Sequence, residues 1–378
     1  MKYSLSDICD YAKCKIDVAI LDEDTYISTE NMMPNKGGIT RASSLPTVTQ
    51  TQSFLAGDVL VSNIRPYFKK IWFAEYDGGC SNDVLVFRAK DGVSKRFLYY
   101  VLADDTFFDY SMATSKGTKM PRGDKTAIMK YGVPDFTYEE QEKISGILEV
   151  LDRKIRINTE INDNLLQQAQ SIFTQEFLAL DSIPDGWQES SLLGIADYLN
   201  GLAMQKYRPK EDEQGLPVLK IKELRQGSCD SNSELCSPSI KPEYIVHDGD
   251  VIFSWSGSLL VDLWCGGTCG LNQHLFKVTS STYDKWFYYA WTNHHLQKFA
   301  AIAADMATTM GHIKREELAK AEVLIPSQSD YDRIGGLLAP LYNLVIANRI
   351  ENRKLASLRD ELLPQLMSGQ LDVSEVSL

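Results

Sequence analysis

Two short stretches gather the side chains best suited to holding phosphate. Arg65-Pro66-Tyr67-Phe68-Lys69-Lys70 sets three cations and two aromatics beside an expected strand turn. Lys116-Gly117-Thr118-Lys119-Met120-Pro121-Arg122-Gly123-Asp124-Lys125 is a Gly-containing loop with four cations and one acid. Such loops can carry Lys and Arg to phosphate oxygens, although a solvated surface loop would look the same. A third group is neutral: Ser254, Ser256 and Ser258, the run Asn272-Gln273-His274, and Thr308-Thr309-Met310-Gly311-His312-Ile313-Lys314. Hydroxyls and amides there can make paired hydrogen bonds, but the same residue types dominate ordinary turns.

Other reactive residue types lack the spacing their chemistry needs. Cys265 with Cys269, and Cys229 with Cys236, do not form the paired knuckles of a structural zinc site and have no matching histidines, so reduced, unliganded thiols are expected. His294-His295 sits in an expected amphipathic helix beside Trp291 and Leu296, where packing is the simpler role. Pro134-Asp135 ahead of Gln141-Glu142-Lys143 approaches a nuclease motif, but the spacing of the second acid to the lysine is wrong.

The elements that must position these residues follow from length and repetition. A chain of 378 residues, 44% hydrophobic and 24% charged, is long enough for two or three cores and too apolar to be disordered. The seven cysteines are scattered, no apolar run reaches the length of a membrane span, and the N-terminus lacks a signal-peptide core, so a soluble cytoplasmic protein is expected. Gln141–Phe177 aligns without gaps to Tyr331–Met367, pairing Ile144 with Ile334, Gly146 with Gly336, Asn158 with Asn348 and Asn162 with Asn352. Each copy carries a heptad seam: Ile144, Leu148, Leu151, Ile155, Asn158, Asn162 and Leu165 in the first; Ile334, Leu338, Leu341, Val345, Asn348, Asn352 and Leu355 in the second, with Arg359 as a defect. The two long helices should pair as an antiparallel coiled coil. Its asparagine layers set register; direction rests on the globular segment that must return the chain to an end. Pro340 should kink the second helix or mark where its regular part begins.

The globular segments repeat as well. Ser4-Leu5 with Asp10-Tyr11 matches Ser191-Leu192 with Asp197-Tyr198, and Gly57-Asp58-Val59-Leu60 matches Gly249-Asp250-Val251-Ile252. The expected fold is therefore α+β, a pseudo-twofold tandem repeat. It comprises a first globular domain (1–138), a long helix (139–182), a second domain (183–326), and a second long helix with its tail (327–378). Strands are expected at 58–64, 71–75, 84–88, 250–254 and 274–278, and helices at 95–104 and 284–304.

With these residues in view, the chain resembles the specificity subunits of type I restriction-modification systems. The resemblance rests on Gly57 to Pro66, Gly249 to Ser258, Leu151-Asp152-Arg153-Lys154-Ile155 with Asn158, and Leu358 to Gly369, and it covers essentially the whole chain. It implies two target recognition domains, each reading half of a bipartite double-stranded DNA site. It also implies that the helices act as a ruler and as the docking surface for two modification subunits, with two restriction subunits as further partners. Catalysis, with S-adenosylmethionine, ATP and magnesium, would then belong to the partners; this chain itself would be no enzyme and would hold no cofactor or metal. In agreement, the sequence has neither an adenine-methyltransferase motif nor a P-loop. On this reading the DNA-contacting residues are Arg65, Lys69, Lys70, Lys116, Thr118, Lys119, Arg122, Lys125, Ser254, Ser256, Asn272, Gln273, Thr308, Thr309, His312 and Lys314. The net charge of −12 means that such contacts must be local, because bulk charge would repel DNA. The rival readings are a coiled-coil scaffold spacing two protein-binding domains, which predicts no DNA affinity, and a self-contained DNA-modifying enzyme, against which the missing motifs count.

Overall fold

The computed structural model describes residues 3–117, 119–305 and 313–373. Thr118, Thr308, Thr309 and His312 lie outside the described residues. The chain divides into two compact units, Met1–Arg153 with Ala356–Leu378, and Lys154–Leu355. Each therefore contains part of both long helices.

In the first unit the apolar alternation of Val59-Leu60-Val61 decides the layering. Val59 and Val61 enter one core with Phe97, Leu98 and Phe107, while Leu60 enters another with Ile27, Phe54 and Cys80. Leu85 and Phe87 against Val84 and Val86 split in the same way. A strand buried on both faces reads as a continuous apolar run, and each such side chain contributes about 1.5–3 kcal/mol on burial. The resulting antiparallel sheet runs Cys9–Tyr11, Val84–Ala89, Val59–Ser62, Ile71–Phe73. Helices Lys95–Ala103 and Asp105–Ala113 share the first core. A second sheet, Lys15–Asp17, Gln50–Phe54, Gly78–Cys80, Tyr26–Ile27, contributes to the other. Gly78 is required there, since a Cβ would meet the Thr25 carbonyl oxygen and the Phe54 ring.

The second unit repeats the plan. Val251 and Phe253 enter one core and Ile252 another, in a sheet ordered Asp197–Asn200, Leu275–Thr279, Val251–Ser254, Leu260–Leu263. The smaller sheets share three strands: Gln50–Phe54, Gly78–Cys80 and Tyr26–Ile27 correspond to Ile245–Val246, Cys269–Leu271 and Leu216–Leu219, with the same antiparallel and parallel pairings. The fourth strand differs. Lys15–Asp17 joins one edge in the first unit, and Leu235–Cys236 joins the opposite edge in the second. Before each central strand, Gly57 (φ 92°) or Gly249 (φ 84°) makes a left-handed turn that Asp58 or Asp250 braces by accepting the Leu55 or His247 amide. The expected helix at 284–304 is two, Lys285–His294 and Leu296–Asp305.

The long helices span Tyr138–Phe173, continuing as a π-turn to Leu178, and Gln328–Met367. Thr137 with Glu140 and Ser327 with Asp330 begin them in the same way, a hydroxyl at the cap accepting the amide three residues on. The second helix starts well before Pro340 and remains helical through it, so proline does not mark its beginning. Within the second unit, Asn158 Nδ2 donates to Asn352 Oδ1 (2.8 Å) and Asn348 Nδ2 to Asn162 Oδ1 (2.9 Å). Asn158 thus meets the repeat counterpart of Asn162, and Asn162 that of Asn158, which only antiparallel helices allow. Arg333 clamps Glu176 further along (2.8 and 2.7 Å). Ile334 and Leu338 pack with Ala169 and Phe173, with Leu341 at the margin of that core; Val345 is buried, and Ile155, Leu165 and Leu355 are half-buried.

Within the first unit, Ile144 and Leu148 share a core with Leu363 and Leu366, and Leu151 is half-buried. Arg359, where the heptad breaks, donates to Asp152 Oδ1 (2.7 Å), and Tyr100 donates to the other Asp152 oxygen (2.8 Å). The break in the apolar pattern is a polar layer.

Candidate nucleic-acid interface

In the first unit the two basic stretches form one surface. Beyond the strand Val59–Ser62, Asn63 donates its amide to the Asp83 carbonyl (2.8 Å), Arg65 to that of Pro121 (2.8 Å), and Gly123 to that of Asn63 (3.3 Å); Ile64 faces Arg122 across an antiparallel bridge. Lys116 and Arg122 exchange both backbone hydrogen bonds (2.9 and 3.0 Å), closing a short loop. Gly117, at φ 93°, bends it, and Lys119 is exposed near its tip. Arg65 and Lys69 are left-handed (both φ 49°) on either side of the turn Pro66–Phe68. Holding two non-glycine residues there costs on the order of 1 kcal/mol or more each, which the surrounding contacts must overcome.

The cations divide by partner. Lys69 pairs with Asp105 (2.7 Å), as does Lys36 (2.9 Å). Burial pushes the Asp105 carboxyl up, but the two lysines outweigh it and hold it below the usual carboxylate range. Lys70 donates to the Thr29 carbonyl (2.6 Å), and burial lowers its pKa. These two lysines fasten the turn. Lys116 pairs with Asp124 (2.5 Å), which raises the lysine and lowers the acid, and Arg122 pairs with Asp83 (3.1 Å). Lys119 and Lys125 are exposed and, among the described residues, have no ion pair; Arg65 has none either, and its Nε is buried without a partner. A polar cleft of about 460 Å³, lined by Ser28, Thr29, Asn31, Thr40, Arg41 and Ser81 among others, opens beside Asp83. Asp83, Asp105 and this cleft escape sequence reasoning, because single acids and a Ser/Thr-rich stretch carry no local signal.

The second unit builds the corresponding end from neutral groups. Ile313 donates its amide to the Trp255 carbonyl (2.9 Å), the same bond in the repeat as Gly123 to Asn63. Ile313 is therefore held at the strand end as Gly123 is. Ser254 is fully buried, its hydroxyl donating to the carbonyls of Ser256 and Ser258 (3.2 and 3.0 Å), so it serves the turn. Ser256 bonds His274 Nδ1 (3.1 Å), Gln273 bonds His274 Nε2 (3.4 Å), and Asn272 donates to Gln273 (3.2 Å). Ser256, distant in sequence, thus joins the consecutive Asn272, Gln273 and His274 in one hydrogen-bonded string, with Trp255 donating to Asn200 beside it (3.0 Å). Lys314 is exposed at the start of the helix Arg315–Ala319.

Elsewhere, the cysteines are free thiols, and no group of His, Cys, Asp and Glu among the described residues could hold a metal. His294 and His295 pack against Phe173, Trp291 and Phe299, and His295 Nε2 bonds the Glu322 carbonyl (2.8 Å). No helix among the described residues is long and apolar enough to cross a membrane.

Two repeats with the same order in their larger sheets, each closing its strand-end turn with the same backbone bond and each built onto paired long helices, define a tandem-repeat protein. The type I restriction modification DNA specificity domain family matches residues 1–167 and 184–358, and the chain belongs to that family, with two copies of its domain. The MjaIX type I restriction enzyme specificity subunit of Methanocaldococcus jannaschii is 25% identical over 76% of this chain and 71% of its own length. The HindI specificity subunit of Haemophilus influenzae is 19% identical over 98% and 99%. In fold, the crystal structure of a type I restriction-modification S subunit from M. genitalium matches with a TM-score of 0.57 at 14% identity, covering 97% of this chain and 96% of that one.

Proposed function

We propose that the chain is the DNA-recognition subunit of a type I restriction-modification complex. Each repeat reads one half of a bipartite duplex site, and the long helices serve as spacer and as the docking surface for two modification subunits. The carrying observation is the repeated strand-end site: the same backbone bond joins Gly123 to Asn63 and Ile313 to Trp255, but the first copy presents Arg65, Lys119 and Lys125 and the second an amide and imidazole string. Equivalent geometry with different side chains suits two halves of an asymmetric site, since cations position on phosphate and amides pair with base edges.

Adenine methylation, and any cleavage, belong to the partner subunits, together with S-adenosylmethionine, ATP and magnesium; this chain catalyses nothing. Docking is supported by exposed apolar side chains at helical spacing, Val150, Ile157 and Ile161 on the first long helix and Leu337, Leu344 and Leu358 on the second. The test is methylome sequencing of cells with and without the gene. A bipartite methyladenine motif that disappears with the gene is expected; an unchanged methylome refutes the reading and leaves a scaffold.

A further inference from the structure

The stem of the first unit's basic loop is self-neutralised. Lys116 and Arg122, hydrogen-bonded to each other through the backbone, each carry a carboxylate: Asp124 at 2.5 Å and Asp83 at 3.1 Å. Lys119, beyond them, carries no ion pair among the described residues. Asp83 is placed with care: its own carbonyl accepts the Asn63 amide, its amide donates to Ser81 (3.3 Å), and its carboxylate lies between Arg122 and the polar cleft. Arg122 remains half-exposed, so the pair sits in solvent-accessible dielectric and is weak enough for a phosphate to break.

The geometry points to Asp83, seconded by Asp124, as a specificity-determining residue: an internal phosphate mimic that holds Arg122 back from DNA in general. This inference rests on the DNA-recognition reading above. Random duplex, held by phosphates alone in any register, can gain from Arg122 only by displacing the carboxylate; at a correct half-site base contacts fix the register and Arg122 stays on Asp83, so the pair costs that complex nothing. Discrimination arises by penalising the wrong ligand rather than by adding affinity for the right one. It also accounts for a loop rich in cations within an acidic chain that must search a genome full of competing sites.

The experiment uses the assembled complex with modification subunits, titrated with specific and with random duplex at several salt concentrations. Asp83→Asn frees Arg122 without changing shape. Its random-duplex affinity should rise about three- to tenfold and its salt slope steepen by about one counterion, while specific affinity changes less, so the specificity ratio falls. Asp83→Asn with Arg122→Ala should lose the gain. Asp124→Asn, which retains an oxygen to cap its helix, should give a smaller effect of the same sign through Lys116. Asp91→Asn, at the other end of the strand that Asp83 precedes, should match wild type. An unchanged specificity ratio in Asp83→Asn, a gain that survives removal of Arg122, or an equal gain in Asp91→Asn overturns the inference while wild-type selectivity leaves the recognition reading intact. A wild-type complex with no selectivity overturns both.

Discussion

At the scale of single residues, charge in the sequence and charge available to a ligand are different quantities. Lys69, Lys70, Lys116 and Lys119 look equivalent in the primary structure, but two hold a turn, one is masked and one is free. Lys119→Ala should therefore flatten the salt slope of the complex by about one and leave unfolding of the subunit unchanged, read by filter binding and by urea titration. Lys69→Ala should do the reverse, loosening the turn that Asp105 secures with little effect on slope. Ser254→Ala belongs to the same scale. Its buried hydroxyl satisfies two carbonyls, so the change should cost about 1–2 kcal/mol in chemical denaturation, and an unaltered midpoint would show that the turn does not depend on it.

At the scale of elements, the asparagine layers make the long helices specific. Asn158 and Asn162 are almost fully buried, a position where leucine would be the more stable choice in isolation. Asn158→Leu alone strands Asn352 Oδ1, which accepts from Asn158, and should destabilise by about 1–3 kcal/mol. The double change Asn158→Leu with Asn352→Leu should recover much of that loss yet weaken the unique register. Crosslinking between cysteines placed on the two helices would read register, and a single crosslinking pattern in the double variant would refute this role for the layers. The Asp152–Arg359 pair is a third polar layer, visible in the sequence merely as an interruption.

At the scale of the whole molecule, the pH response follows from His294 and His295. Burial, with the neighbouring His295 and Lys298 charges, lowers the pKa of His294 below its ordinary 6.5; burial also lowers that of His295, against the opposing Glu322 carbonyl. A depressed folded-state pKa means that unfolded chain binds protons first. Stability is thus complete above about pH 6.5 and is lost as pH falls from there through the folded-state values. The melting transition of the second unit should drop between pH 7 and pH 5, and His294→Gln with His295→Gln should flatten that drop; an unflattened profile would place the response elsewhere. Removal of one heptad from each long helix, in register, should preserve folding and change the preferred spacing between half-sites. The methylated motif reads that spacing directly, and an identical spacing would refute the ruler role.

The duplication, the central strands, the heptad seams and the asparagine layers were all legible in the residues, because periodicity and repeated turn chemistry are local signals that survive without three-dimensional context. The second sheet of each unit was not: strands such as Gly78-Gly79-Cys80 have little strand character of their own and exist because neighbouring strands pair with them. The antiparallel direction of the helix pair was expected only from the globular segment between the helices, not from the asparagines themselves. Either orientation aligns mid-helix asparagines, and the observed exchange of Asn158 with Asn352 and Asn162 with Asn348 bears the antiparallel expectation out. At the candidate interface the sequence located the basic loops, but their convergence, and the carboxylates Asp83, Asp105 and Asp124 that claim three of their seven cations, depend on folded contacts that carry no local signal. Composition sets which charges exist; long-range packing decides which of them a ligand can reach.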